Sequence, residues 1–219
     1  MRKPFTFGLY VVTDSGLARG RPLVEIVAAA IRGGADAVQL REKEAPARAQ
    51  LALGRRLRDL TREAGVLFIV NDRADLAVAL DADGVHVGQD DLPPDVARRI
   101  VGPERIIGVS AGTLDEALAA RDAGADYLGV GPIYATATKP DAGAATGTEL
   151  IAAIRRRVDL PIVGIGGIGR DNAAVVLAAG AEGGAVVSAV VAADDPEAAA
   201  RELKERMVVA RPAGTVKGR

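Results

Sequence analysis

The chain has no cysteine, no tryptophan and a single histidine, and aromatic residues make up only 3% of its 219 residues. Without thiols there can be no disulfides, thiolate nucleophiles or zinc–thiolate sites, and a reducing compartment suits such a chain, so the cytoplasm is the expected location. One histidine leaves little room for an imidazole metal centre. With so few rings, the core has to be filled by Val, Ile, Leu and Ala, since hydrophobic residues still amount to 49%. No sign of charge is in excess: 28 Lys plus Arg face 29 Asp plus Glu, a formal charge of -1, and basic residues gather only in short clusters such as Arg155-Arg156-Arg157. Broad binding to nucleic acid or to a membrane surface is not expected from such a balance. Long apolar runs are missing too. The opening MRKPFTFGLYVVTD lacks the apolar segment and cleavage site of an export signal. The most apolar late stretch, AVVSAVVAA at 185–193, falls well short of the ~20 residues that span a bilayer.

What is present is an alternation. Eight short apolar runs occur at 8–12, 37–40, 67–70, 84–87, 106–109, 127–130, 161–165 and 184–187, separated by longer segments of helical period. Leu23, Ile26, Val27, Ala30 and Ile31 fall on one face of a helix, and Leu53, Leu57, Leu60 and Ala64 repeat the pattern. Thr113 with Glu116 forms a capping box, Asp171 precedes an Ala/Val/Leu helix, and Asp195-Pro196 places an N-cap before a proline at the first helical position. GGADAVQL, DADGVHVG, AGADYLGVG and AGAEGGAVV echo one another, each setting a small residue and an acid before a strand. Eight βα units predict a (β/α)8 TIM barrel, one domain over 1–210 with a frayed tail at 211–219; an open doubly wound sheet is the alternative. The length suits one such barrel.

In a barrel, chemistry belongs to the loops that follow the strands, so polar residues there carry the most information. After the second run, Gln39, Arg41 and Lys43 alternate and share one side, two cations and an amide that resemble an anion clamp; a solvated loop is the plainer reading. Asp72 follows the third run and Asp91 the fourth. Neighbouring parallel strands lie ~4.8 Å apart, so the two carboxylates can meet across a gap of metal size. With one histidine and no cysteine, a hard oxygen-ligated cation, Mg2+ first, is the metal this composition supports. A helix cap at Asp72 and a turn residue at Asp90 or Asp91 are the alternatives. His86 lies within a strand, where a hydrogen-bonded structural role is expected. The longest loop, 131–147, carries Thr136, Thr138 and Lys139. GIGGIG at 164–169 and the segment from Ser188 follow the last two strands, where barrels commonly hold phosphate on backbone N–H groups. The glycine spacing of GIGGIG is dinucleotide-like, but the Rossmann surroundings are missing and NAD is rejected.

Taken as a set, LYVVTD, VQLREK, NDRADLA, GVHVGQDD, IIGVSAGT, YLGVGPIYATATKP, VGIGGI and GGAVVSA resemble the thiamine-phosphate synthase family in order and spacing from about residue 8 to 191. The resemblance implies a (β/α)8 barrel that uses Mg2+ to join hydroxymethylpyrimidine pyrophosphate to a thiazole phosphate, carboxylated or not, with release of pyrophosphate. It implies that Gln39, Arg41, Lys43, Asn71 and Lys139 hold the pyrimidine pyrophosphate, that Asp72 and Asp91 hold magnesium, and that Ser110 lines the site. Arg41, Lys43, Ser110 and Lys139 are then the residues expected at the reacting groups. Thr136, Thr138, Gly167 and the Val187-Ser188 turn are implied to receive the thiazole phosphate. Ala135 departs from the proline the family often has there. A thiazole tautomerase-like barrel and a non-catalytic phosphate-ligand sensor are the rivals, and a ribulose-phosphate-epimerase-like barrel asks for more histidines than this chain has. The expected partners are these small molecules, and a homo-oligomer stays open.

Overall fold

A computed structural model of the chain describes residues 7–136, 138 and 143–209. Eight strands, β1 (Leu9–Val12), β2 (Ala37–Leu40), β3 (Leu67–Asn71), β4 (Gly84–Val87), β5 (Ile106–Ala111), β6 (Tyr127–Val130), β7 (Ile162–Ile165) and β8 (Gly183–Val186), pair in sequence order into a closed parallel barrel. The register brings Asn71 of β3 opposite His86 of β4, and Ser110 of β5 opposite Gly129 of β6. Helices α1 (Leu23–Arg32), α2 (Ala47–Ala64), α3 (Ala74–Ala79), α4 (Pro94–Val101), α5 (Leu114–Asp122), α6 (Glu149–Arg155) and α7 (Ala173–Ala178) follow the first seven strands, and β8 is followed by the short α8 (Ser188–Val191) and then α9 (Pro196–Val209). Among the described residues no helix is long and apolar enough to cross a membrane.

Each strand is buried on both faces, which is why it reads as an unbroken apolar run. One face packs on the helices. The other fills the barrel with a separate cluster that includes Phe7, Tyr10, Val12, Ile69, Tyr127 and Val163. Half of the scarce rings are spent there: Phe7 stacks on Tyr10 at 5.8 Å and meets Tyr127 at 4.5 Å. Space for them comes from glycine, since a Cβ on Gly108 would lie 2.1 Å from the Tyr127 ring and one on Gly129 would lie 2.8 Å from the His86 ring.

The four echoed acids have a common physical role at the opposite end of the barrel. Asp36, Asp83, Asp126 and Glu182 each stand just before an even-numbered strand. Their carboxylates accept the backbone N–H of Leu9, Phe68, Ile107 and Ile162 at 2.8, 2.8, 2.8 and 2.7 Å. Each acid's own N–H donates to the carbonyl of that same residue, at 2.7 to 2.9 Å. A cation from a helix closes every unit: Lys204 on Asp36, Arg58 on Asp83, Arg98 on Asp126 and Arg155 on Glu182. Strand N–H groups that would otherwise lack ladder partners are satisfied in this way.

Two local expectations are corrected. The buried line of α2 runs through Gln50, Gly54, Leu57 and Thr61, while Ala64 is exposed. A Cβ on Gly54 would lie 2.4 Å from the Leu80 side chain, so the helix sits on its smallest residue. Asp171 is not the cap of α7; that place belongs to Asn172, whose Oδ1 accepts the Gly169 N–H at 2.8 Å. The other two caps hold: Thr113 Oγ1 accepts the Glu116 N–H at 3.1 Å, and Asp195 Oδ1 accepts from Glu197 and Ala198 at 3.0 Å.

Candidate active site

Strand alternation at the end of β2 divides its polar residues between cavity and wall. Gln39 points into the barrel, is 5% exposed, and donates from Nε2 to the Tyr10 hydroxyl at 2.8 Å. Arg41 lies 3.5 Å from Asp14, and Lys43 Nζ lies 3.7 Å from Asp72 Oδ2. Glu42 turns the other way into a buried brace: its carboxylate accepts from Thr13 Oγ1 at 2.9 Å and from the Ser15 N–H at 3.2 Å. Thr13 Oγ1 in turn accepts the Arg41 N–H at 3.0 Å. A buried, hydrogen-bonded carboxylate thus fixes the backbone from which both cations project. Thr13, Asp14 and Glu42 are site-supporting residues that sequence reasoning missed; a polar TD directly after the first strand was the available signal.

At the ends of β3 and β4 the two carboxylates meet. Asp72 has a left-handed φ of 61°, in a tight turn where its N–H donates to the His86 carbonyl at 2.7 Å and the Arg73 N–H donates to the Asn71 carbonyl at 2.7 Å. Asp91 accepts the Gly88 N–H at 2.8 Å and stands within hydrogen-bonding reach of Asp72. Burial pushes the Asp72 carboxyl up to about 6, and the hydrogen bond and charge of Asp91 push the same way, against Lys43 and Arg41. Asp72 is no helix cap, because the N-cap position of α3 belongs to Arg73. Asp91 does serve the turn as well as facing Asp72.

This donor set suits a small hard cation. It offers oxygen only, and the like charges of two facing acids are relieved by a divalent cation. Among the described residues no group of three or more His, Cys, Asp and Glu is placed to hold a metal. Further coordination would come from water and ligand oxygens, the usual habit of Mg2+.

The cavity floor is a line of hydrogen-bonded polar groups. The Tyr10 and Tyr127 hydroxyls lie 3.1 Å apart, Tyr127 reaches His86 Nδ1 at 2.9 Å, and His86 Nε2 reaches Ser110 Oγ at 2.9 Å. His86 is therefore a hydrogen-bonded barrel residue, as its strand position suggested. Tyr10 and Tyr127 were not read as site residues. Their strand positions look purely apolar, and only the inward phase of β1 and β6 marks them.

The opposite wall is built from backbone. Gly166 and Gly167 have φ of 98° and 62°, and a Cβ on either would strike the loop after β6, at 2.7 Å from Pro132 Cα or from the Ala135 carbonyl. That loop is tied at its base, where Thr146 N–H donates to the Pro132 carbonyl at 2.8 Å and Gly147 N–H to that of Ile133 at 3.0 Å. Thr138 N–H donates to Thr136 Oγ1 at 3.2 Å. Ser188 opens α8 after Val187. Lys139 lies outside the described residues.

One cavity of about 430 Å3 collects these features. Gln39, Arg41, Lys43, Asn71, Asp72, Asp91 and Ser110 line one side, and Thr136, Thr138, Gly167, Val187 and Ser188 the other. A closed (β/α)8 barrel with its polar loops converging at the C-terminal mouth defines the class: a barrel of the enzyme type, with two unlike walls around one chamber. The thiamine monophosphate synthase family model matches residues 9–190, and the chain belongs to that family. It is 60% identical over 203 residues to a thiamine-phosphate synthase from Moorella thermoacetica, covering 93% of this chain and 97% of that one. It is also 60% identical over 201 residues to one from Chloroflexus aurantiacus, covering 92% and 93%. The solved thiamine phosphate pyrophosphorylase from Pyrococcus furiosus superposes with a TM-score of 0.87 at 46% identity, covering 93% of this chain and 96% of that one.

Proposed function

We propose that the chain is a transferase of thiamine biosynthesis that joins hydroxymethylpyrimidine pyrophosphate to a thiazole phosphate and releases pyrophosphate. The carrying observation is the pairing of unlike walls in one cavity: two cations and two facing carboxylates on one side, glycine backbone and hydroxyls on the other. Arg41 and Lys43, with Lys139, bind the pyrophosphate and neutralise charge as it leaves. Asn71, Gln39 and Ser110 orient the pyrimidine end. Asp72 and Asp91 would hold Mg2+, which when bound supplies charge neutralisation to the leaving oxygen. Thr136, Thr138, Gly167, Val187 and Ser188 receive the thiazole phosphate through hydroxyls and backbone N–H groups.

The chemistry asks little of acid–base groups. The thiazole nitrogen attacks the methylene carbon with its own lone pair, the carbon–oxygen bond breaks, and pyrophosphate leaves with the bonding electrons. The electron-rich aminopyrimidine supports positive charge on that carbon, so bond breaking can run ahead of attack. No proton has to leave the nucleophile, which is why a chain with one histidine suffices. We place the protein in the cytoplasm on the strength of its cysteine-free composition. A tautomerase would have no use for the cation and carboxylate wall. The test is pyrophosphate release with each substrate alone and with both: release only with both supports the reading, and its absence would leave a tautomerase or a ligand sensor.

A further inference from the structure

The line across the cavity floor has a direction. Gln39, Tyr10, Tyr127, His86 and Ser110 come from β2, β1, β6, β4 and β5, and successive polar atoms lie 2.8, 3.1, 2.9 and 2.9 Å apart. Each phenol has one hydrogen, and a neutral imidazole carries one as well, so orienting one member orients the rest. Both phenols are buried, and burial raises the pKa of each, which keeps the hydrogens in place.

The Gln39 amide nitrogen only donates, so Tyr10 accepts from it and has its hydrogen free for Tyr127. Were Tyr127 to donate to Tyr10 instead, the Tyr10 hydrogen would be buried with no acceptor on this line. Tyr127 then donates to His86 Nδ1, which must be bare. The imidazole hydrogen is therefore on Nε2, directed at Ser110 Oγ. Ser110, already accepting, keeps its own hydrogen for something else in the cavity.

We propose that Gln39 is a positioning residue: through Tyr10 and Tyr127 it holds His86 as the Nε2–H tautomer and turns Ser110 into a hydrogen-bond donor for the pyrimidine pyrophosphate. The ligand half of this statement rests on the proposed function; the tautomer half does not. Reversing the Gln39 amide would reverse every link and leave Ser110 able only to accept. The inference gives Gln39 a role at a distance, and it explains why an interior otherwise filled by apolar side chains keeps two tyrosines and a histidine.

Because the chain has one histidine, nitrogen-15 NMR of histidine-labelled protein at neutral pH reads this tautomer without overlap. The expected result is a protonated Nε2 and a bare Nδ1 without any substrate; a protonated Nδ1, or a doubly protonated ring, overturns the proposal. Tyr10→Phe keeps the ring packing but cuts the line, and should give a mixture of tautomers; an unchanged signal would show that Gln39 does not set the direction. In Gln39→Glu, an acceptor-only end should move the proton to Nδ1; a raised KM for pyrimidine pyrophosphate with the tautomer unmoved would leave Gln39 only its direct contact with the pyrimidine and overturn the positioning role. Loss of both KM values together, with the tautomer unmoved, would reduce Gln39 to a structural part. Binding of inorganic pyrophosphate with Mg2+ and of the pyrimidine alcohol to Ser110→Ala tells which acceptor the hydroxyl serves: weakened pyrophosphate binding assigns a phosphate oxygen, weakened alcohol binding a ring nitrogen. Neither weakened overturns the donor role. Inactivity with both substrates, alongside a correct tautomer, would count against the proposed function only.

Discussion

Asp72 carries two costs at once. Its backbone is left-handed without being glycine, a strain of roughly 1–3 kcal/mol, and its carboxyl is pushed up to about 6 by burial and by Asp91. Both costs fall on the same turn, and a bound cation would relieve the second. The sign of the pH effect follows. The folded value lies above the ordinary 3.8, so the folded state holds this proton more tightly than the unfolded chain does. Stability from Asp72 is therefore full below the unfolded value and is lost as pH rises through about 6. Urea unfolding without divalent ions should show wild type losing stability across that window relative to Asp72→Asn, and Mg2+ should restore it above the window. Parallel pH profiles for the two proteins would contradict this.

At the scale of elements, the four acid clamps hold the bottom of the barrel while the loops at the top line the cavity. In Asp126→Ala the Ile107 N–H and the Arg98 guanidinium both lose the carboxylate, at a cost on the order of 3 kcal/mol. We expect a lower urea midpoint with an unchanged slope and unchanged kinetics under native conditions; altered KM values would mean that the clamp reaches the site. The repeated acids are plain in the sequence, but their partners are not. Each bonds to the start of the preceding strand and to a helix cation, contacts that no local pattern announces. The top of β7 gives a complementary prediction. Gly167→Val adds side-chain bulk where φ is 62° and the Ala135 carbonyl is 2.7 Å from a Cβ, so the KM for thiazole phosphate should rise more than that for the pyrimidine substrate. An effect confined to the pyrimidine side would exchange the two walls.

For the whole molecule, the barrel was legible because parallel strands buried on both faces read as short apolar runs, and the eight runs match β1 to β8 within two residues at their ends. The polar residues at the strand ends were legible for a related reason: past such a run, alternation sends every second side chain, such as Arg41 and Lys43 but not Glu42, toward the mouth. The face of α2 was not, because a helix can pack on Gly54 and Thr61 as closely as on leucine. Nor was the floor of the cavity, since Tyr10 and Tyr127 look like core until the barrel closes and puts their hydroxyls together. We propose that one chamber joins two phosphorylated rings with a cation held by Asp72 and Asp91. This is tested most directly by the rate of thiamine phosphate formation, both substrates saturating, as Mg2+ is titrated into wild type and Asp72→Asn. The expected result is no product with chelator, saturable activation of wild type, and in Asp72→Asn a large loss of turnover with a higher Mg2+ requirement. Full activity in chelator, or an Asp72→Asn enzyme with unchanged turnover and Mg2+ dependence, would contradict it.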